Sequence, residues 1–135
     1  MIEKIVNNNT LYAIIIRRDF SFDGIKFFTE DSSPQQIGYM KRPKNYKIAP
    51  HIHLKKQRIV DVTHEVLFIK SGKVKINFYN HDQQYIMSKE LSTGDTILLA
   101  EGGHGLTMIE ESEIIEVKQG PYLENLDKER FDSDE

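Results

Sequence analysis

The sequence predicts an all-β protein, a sandwich or barrel built from short strands. Turn residues divide the chain into pieces of about eight to twelve residues, a spacing typical of such folds. Several pieces alternate apolar and polar side chains with a period of two, as Lys73 to Tyr79 do. The chain has 135 residues, of which 39% are hydrophobic and 29% charged, so we expect one globular domain with a core.

The predicted strands follow one another along the chain. Leu11 to Ile16 is apolar and rich in β-branched residues, and Gly24 to Thr29 follows a Phe-Asp-Gly turn. Ser71 and Gly72 predict a hairpin between the strands on either side of them. The later predicted strands cover residues 47–54, 63–70, 73–79, 84–91, 96–100, 106–110 and 113–118. Helix is expected only at the weakly patterned ends.

Composition and charge exclude several classes of protein. Without cysteine there is no disulfide framework, thiolate metal site or cysteine nucleophile. The net charge is −3; residues 124–135 carry −4 of it, so the rest is near +1 and lacks a nucleic-acid footprint. The polar start and short apolar runs predict no membrane segment. We expect a cytoplasmic protein with one domain over residues 1–122 and a charged tail over residues 123–135.

Histidines carry the main functional signal. His51 and His53 lie two residues apart, and a strand would project both to one face, as a pair of imidazole ligands requires. His104 and a residue near position 65 would complete a metal site. On a regular strand His64 and Glu65 point to opposite faces, so only one of them can join the site unless a bulge shifts the register.

These residues resemble the two-part signature of the cupin superfamily. His51 and His53, then Glu65 with Gly72 seven positions later, then residues 94–95 ahead of His104 match it over about residues 47–120. The gap before Glu65 is longer than in the family, and Ala100 stands at a proline position. Three stretches also resemble small bacterial single-domain cupins, often called cupin-fold metalloproteins: residues 65–72, 94–105 and 116–122.

The resemblance implies a double-stranded β-helix, a jelly-roll-like barrel. It also implies one divalent metal ion, held by His51, His53, Glu65 and His104. Imidazole and carboxylate ligands suit Fe, Mn, Co, Ni or Zn. The implied function is that of a sugar isomerase or epimerase of cell-surface polysaccharide metabolism, acting on a small polar molecule. A metal-dependent dioxygenase, a non-catalytic metal-dependent sensor and a metal-free acid–base isomerase are the alternatives.

Two further expectations follow from the chain itself. We expect a homodimer, from family habit and because one small barrel would not wholly bury the apolar strand Leu11 to Ile16; ordinary packing within the barrel is the alternative. Arg58 would suit a carboxylate or phosphate on a substrate, or is a solvated loop charge. Glu116 and Lys118 share one face of the last strand and would supply an acid and a base if that face points inward.

Overall fold

A computed structural model describes residues 1–122 and 128–133, and it confirms the all-β prediction. The described residues form ten strands in three antiparallel sheets, with no helix, and none of the sheets closes into a barrel. The chain divides into two compact units, which we call unit 1 (Met1–Phe20 with Thr63–Glu135) and unit 2 (Ser21–Val62).

The strands are short and follow one another through the described residues. Their bounds are β1 (Ile2–Asn7), β2 (Thr10–Ile16), β3 (Gly24–Phe27), β4 (Gly38–Lys41), β5 (Glu65–Ser71), β6 (Lys73–Tyr79), β7 (Tyr85–Ser92), β8 (Thr96–Leu99), β9 (Gly103–Met108) and β10 (Glu113–Lys118). Unit 1 contains a five-stranded sheet in the order β1-β2-β8-β5-β10 and a three-stranded sheet in the order β7-β6-β9. Unit 2 contains the pair β3-β4.

The core of unit 1 is shared by its two sheets. Alternation turns every second side chain of each strand to the same face, and those side chains are buried. The five-stranded sheet contributes Ala13, Ile15, Leu67, Ile69, Ile97 and Leu99, and the three-stranded sheet contributes Val74, Ile76, Phe78 and Leu91. The predicted alternation over Lys73 to Tyr79 is confirmed for the core face, which carries Val74, Ile76 and Phe78, but Asn77 and Tyr79 on the other face are also buried.

The hairpin predicted at Gly72 is wrong, because β5 and β6 belong to different sheets. Gly72 has φ +97°, and a Cβ on it would overlap Ser112 and the carbonyl oxygen of Glu111. A glycine here lets the chain turn a tight corner from one sheet to the other. The hairpin of the three-stranded sheet is β6–β7, with its turn between the predicted strands at residues 73–79 and 84–91.

Asp95 links the turn before β8 to the end of β2 through hydrogen bonds. Its carboxylate is buried and accepts hydrogen bonds from the backbone N–H of Arg18 (2.8 Å) and of Ser92 (2.8 Å). It also accepts one from the Arg17 guanidinium (3.1 Å), which in turn pairs with Glu3 of β1 (2.7 Å). One carboxylate therefore joins three parts of unit 1.

Unit 2 contains less regular structure than the sequence predicts. In the β3–β4 hairpin Ile25 lies opposite Met40, and the Phe27 ring covers Gly38 so closely that a Cβ would overlap it. The strand predicted at residues 47–54 is wrong. Every residue from 41 to 60 is exposed, and Pro50 lacks the N–H that a strand ladder would use.

Candidate functional site

A cavity of about 530 Å³ lies in unit 1 and is large enough for a small molecule. Its wall includes Glu65 of β5, His104 of β9 and Glu116 of β10. Both sheets of unit 1 therefore contribute ionisable side chains to one space.

Strand parity places Glu65 in this wall. Glu65 lies on the same side of β5 as the buried Leu67 and Ile69, which belong to the core between the sheets. His64 precedes β5 and does not line the cavity. The two neighbours have different environments, but His64 lies outside the strand, so their alternation on a regular strand stays a prediction.

Glu65 and His104 form the central contact of the cavity. Glu65 Oε2 lies 3.7 Å from His104 Nε2, and both side chains are less than one-third exposed. The contact with His104 is the largest cause that lowers the pKa of Glu65 below its ordinary value of 4.5, and burial opposes it. At 3.7 Å the attraction is electrostatic, because a hydrogen bond would be shorter. Lys118 and Lys128 also lower this pKa.

The glycines around His104 have different roles. Gly102 has φ +75°, and a Cβ on it would overlap the Tyr12 ring and the carbonyl oxygen of Tyr79. Gly103 begins β9, three residues before the start of the strand predicted at residues 106–110. His104 then lies opposite Phe78 of β6. One tight glycine turn and one strand pairing therefore position the imidazole.

The charged face of β10 points inward. Glu116 lies opposite the buried Leu67, and Lys118 lies opposite Glu65 in the β5–β10 ladder. Lys118 Nζ is 3.9 Å from Glu116 Oε1, and Glu116 lines the cavity. Of the two orientations considered for this strand, the structure has the one that places the Glu116 carboxylate in the cavity wall, with the Lys118 amine beside it.

His64 has a separate environment. Its side chain is buried, and its backbone N–H donates to Oε1 of Gln119 (2.7 Å). Among the described residues Nδ1 has no hydrogen-bond partner. Burial lowers the pKa of His64, against the charge of Glu101. His64 is therefore held in its neutral form, away from the lining of the cavity.

His51 and His53 lie together in unit 2. Their ring centroids are 5.2 Å apart in an edge-on arrangement, and both side chains are exposed. Nδ1 of His51 lies 2.8 Å from the carbonyl oxygen of Ala49. A carbonyl only accepts, so Nδ1 carries the proton, and in the neutral ring this leaves the lone pair on Nε2. Arg58, also in unit 2, is exposed.

The four predicted metal ligands divide between the two units. Bonds of 2.0–2.2 Å allow two ligands of one ion to lie up to about 4 Å apart. The 3.7 Å between Glu65 and His104 therefore fits two ligands of one ion. Neither unit, over the residues described, brings three or more His, Cys, Asp or Glu side chains into a group that could hold a metal. The four-ligand set stays a sequence prediction.

The sequence did not predict the contribution of the C-terminal segment. Residues 128–131 and Ser133 line the cavity, whereas residues 123–127 of the predicted tail lie outside those described. Phe131 packs edge-on against Tyr79, with ring centroids 5.1 Å apart. The available signal was Phe131 itself, an aromatic residue in an otherwise charged segment.

Comparisons with protein-family models, with curated proteins and with solved structures find no match. Over residues 1–122 and 128–133 there is no helix of the length and apolar character that crossing a membrane requires.

Proposed function

We propose that this protein is a cupin-like, metal-binding enzyme that isomerises or epimerises a small polar substrate, such as a carbohydrate derivative. The observation that carries the proposal is the contact of Glu65 with His104 in the wall of a cavity of small-molecule size. A carboxylate and an imidazole in contact are suited both to proton transfer and to binding a divalent ion. The proposed setting, cell-surface polysaccharide metabolism in the cytoplasm, rests on the sequence resemblance.

The path of the chain supports a cupin-like arrangement. From β5 to β10 the chain alternates between the sheets of unit 1: β5, β8 and β10 lie in one, and β6, β7 and β9 in the other. Jelly rolls, the architecture that includes cupins, consist of two antiparallel sheets linked in this way. The order β10-β5-β8 facing β9-β6-β7 is therefore the part of unit 1 that we assign to the double-stranded β-helix.

The cavity holds the groups that an isomerase or epimerase needs. One group takes a proton from a carbon next to a carbonyl, and a second returns a proton to that carbon or its neighbour, so no oxidant is required. Glu116, which lines the cavity, is the proton acceptor. Lys118, whose Nζ lies 3.9 Å from Glu116 Oε1 beside the cavity, is the proton donor and stabilises negative charge on the substrate oxygen.

The metal part of the proposal takes its ligands from the sequence. We assign His51, His53, Glu65 and His104 to one divalent ion of Fe, Mn, Co, Ni or Zn. Such an ion supplies a Lewis acid that polarises an oxygen of the substrate. The distance between Glu65 and His104 and the lone pair on Nε2 of His51 support these assignments.

A metal-free acid–base isomerase is the second candidate. It is favoured by the same pair, because Glu65 and His104 already satisfy one another's charge when the imidazole is protonated. Lys118 and Glu116 form a similar contact beside them. In this version the histidine and the carboxylates act on the substrate without an ion.

Elemental analysis of protein purified without chelator separates the two candidates. One equivalent of a transition metal, lost in both the His51→Ala and the His104→Ala variant, supports the metal enzyme; absence of metal favours the second candidate. The matched control is His81→Ala, since His81 is exposed and outside the cavity. Loss of turnover of sugar derivatives in Glu65→Gln would support either enzyme, and metal retained by both histidine variants would contradict the proposed ligands.

We also propose a homodimer, but through a different surface from the strand β2 that the sequence suggested. Residues 12–15 of the apolar strand β2 are buried within the chain, so this strand offers no surface. The outer face of β5 and β10 instead exposes Phe68 (39%), Ile115 (52%) and Val117 (54%). We assign the dimer contact to this face. A monomeric Val117→Lys variant, in light scattering beside a dimeric wild type, would support it.

A further inference from the structure

The C-terminal segment Lys128–Ser133 is held against unit 1 at two points. The Phe131 ring packs on Tyr79, and a Cβ on Gly103 would lie 3.2 Å from that ring. Two positions earlier, Oε2 of Glu129 accepts a hydrogen bond from Nε2 of Gln83 (2.8 Å). The segment therefore forms part of the cavity wall.

The contacts of Glu129 and Phe131 place two cationic side chains in the cavity wall. Lys128 and Arg130 both line it, on either side of Glu129. Over the residues described, no carboxylate lies within 4.0 Å of the Arg130 guanidinium, and that group has no hydrogen-bond acceptor. Glu129, its neighbour, is bonded to Gln83. Arg130 thus offers a planar set of N–H donors that suits a carboxylate or a phosphate.

The cavity also contains acceptors for hydroxyl groups. The carboxylates of Glu65 and Glu116 belong to β5 and β10 in the five-stranded sheet, whereas Arg130 belongs to the C-terminal segment. Hydroxyl groups donate to carboxylates, and anionic groups accept from a guanidinium. The lining therefore matches a molecule that carries both kinds of group.

We propose that the cavity binds a small hydroxylated organic anion and that Arg130 binds its carboxylate or phosphate group. This deepens the proposed function and rests on it, because it takes the cavity as the substrate site. Phe131 is a positioning residue, since it acts by holding Arg130 in place. The assignment replaces Arg58, the candidate that the sequence suggested for this task, with a residue that lines the cavity.

The test follows NMR signals of the Arg130 side-chain N–H and the His104 ring in the full chain. Inorganic phosphate, acetate and chloride are titrated at constant ionic strength with chelator present. Phosphate and acetate distinguish the two kinds of anionic group, and chloride controls for general charge effects. In the wild type we expect both signals to shift and saturate with phosphate or acetate but not with chloride.

Three variants identify the residue that binds the anion. Arg130→Gln should weaken binding about tenfold, the effect of losing one charge-assisted interaction, and Arg130→Lys should retain part of it. Phe131→Ala should weaken binding although every charge remains. Arg42→Gln, which changes a guanidinium stacked on Tyr46 outside the cavity, is the matched control and should bind like the wild type.

Several results would overturn the assignment. They are wild-type binding by Arg130→Gln, an equal loss in Arg42→Gln, and no saturation in the wild type below roughly 0.1 M anion. Chelator makes this test independent of metal. If anion binding fails while metal content still depends on His104, only the present inference is lost; if metal and turnover are absent while Arg130 binds anions, the proposed function is lost.

Discussion

Replacing Asp95 with alanine should destabilise the fold by about 3 kcal/mol. The change removes the acceptor of two backbone N–H groups, those of Arg18 and Ser92, and each loss costs about 1 kcal/mol for a partly buried donor. Arg17 loses a third, charge-assisted bond but keeps its partner Glu3, which limits that loss to about 1 kcal/mol. For 135 residues the total corresponds to a melting temperature lowered by about 10 °C.

Urea denaturation followed by circular dichroism measures this cost. Asp95→Asn should lie between the wild type and the alanine variant, because the amide keeps one acceptor oxygen and places donors at the other position. Asp82→Ala is the matched control: Asp82 is exposed in the turn before β7, so its loss should change the unfolding free energy by less than about 0.5 kcal/mol. An unfolding free energy of Asp95→Ala within about 0.5 kcal/mol of the wild type would refute the role given to this carboxylate.

Three other predictions concern the site. Gly102→Ala should cost about 2 kcal/mol in urea denaturation, since its Cβ would overlap the carbonyl of Tyr79 at positive φ, whereas Gly120→Ala, with open space around it, should cost little; equal costs would contradict this. Because the folded pKa of Glu65 lies below 4.5, its carboxylate stabilises the fold above pH 4.5 and loses this effect as the pH falls through the lower value. The stability difference between wild type and Glu65→Gln should therefore shrink on acidification below pH 4.5, and a constant difference would count against the pair. His104→Ala removes the largest cause of the low pKa of Glu65, so an NMR titration should show that pKa rising; an unchanged value would exclude the contact.

Sequence alternation predicted the parts of the site that depend on one strand alone. Period two placed Glu65 on the face of β5 that carries the buried Leu67 and Ile69, because successive side chains of a strand point to opposite faces. The orientation of β10 could not be predicted in this way. Glu116 and Lys118 face inward because β10 pairs with β5 in a register that puts Lys118 opposite Glu65, and register is a property of two strands.

The features that the sequence did not predict have several causes. Strand β1 was missed, although Asn8 and Asn9, with φ of 50° and 62°, form the type of turn that joins two strands of a hairpin. The turn at Gly72 was predicted to be a hairpin, because glycine is typical both of hairpin turns and of turns between sheets. The contact of Gly72 with Ser112, which is distant in sequence, is not visible in the local pattern. The place of Arg130 in the cavity depends on a contact between Phe131 and Tyr79, far away in sequence.

The residues that resemble the cupin signature have two separate roles. Gly72 and Asp95 stabilise the fold. Gly72 allows the tight turn between the two sheets, and Asp95 links the turn before β8 to the end of β2 by hydrogen bonds. Glu65 and His104 line the cavity. A jelly roll without any metal would keep the first pair for packing reasons alone, so the stability of variants at those positions cannot test the metal. Metal content in variants of the second pair and of His51 can, because removing a ligand lowers the affinity for the ion whatever the fold.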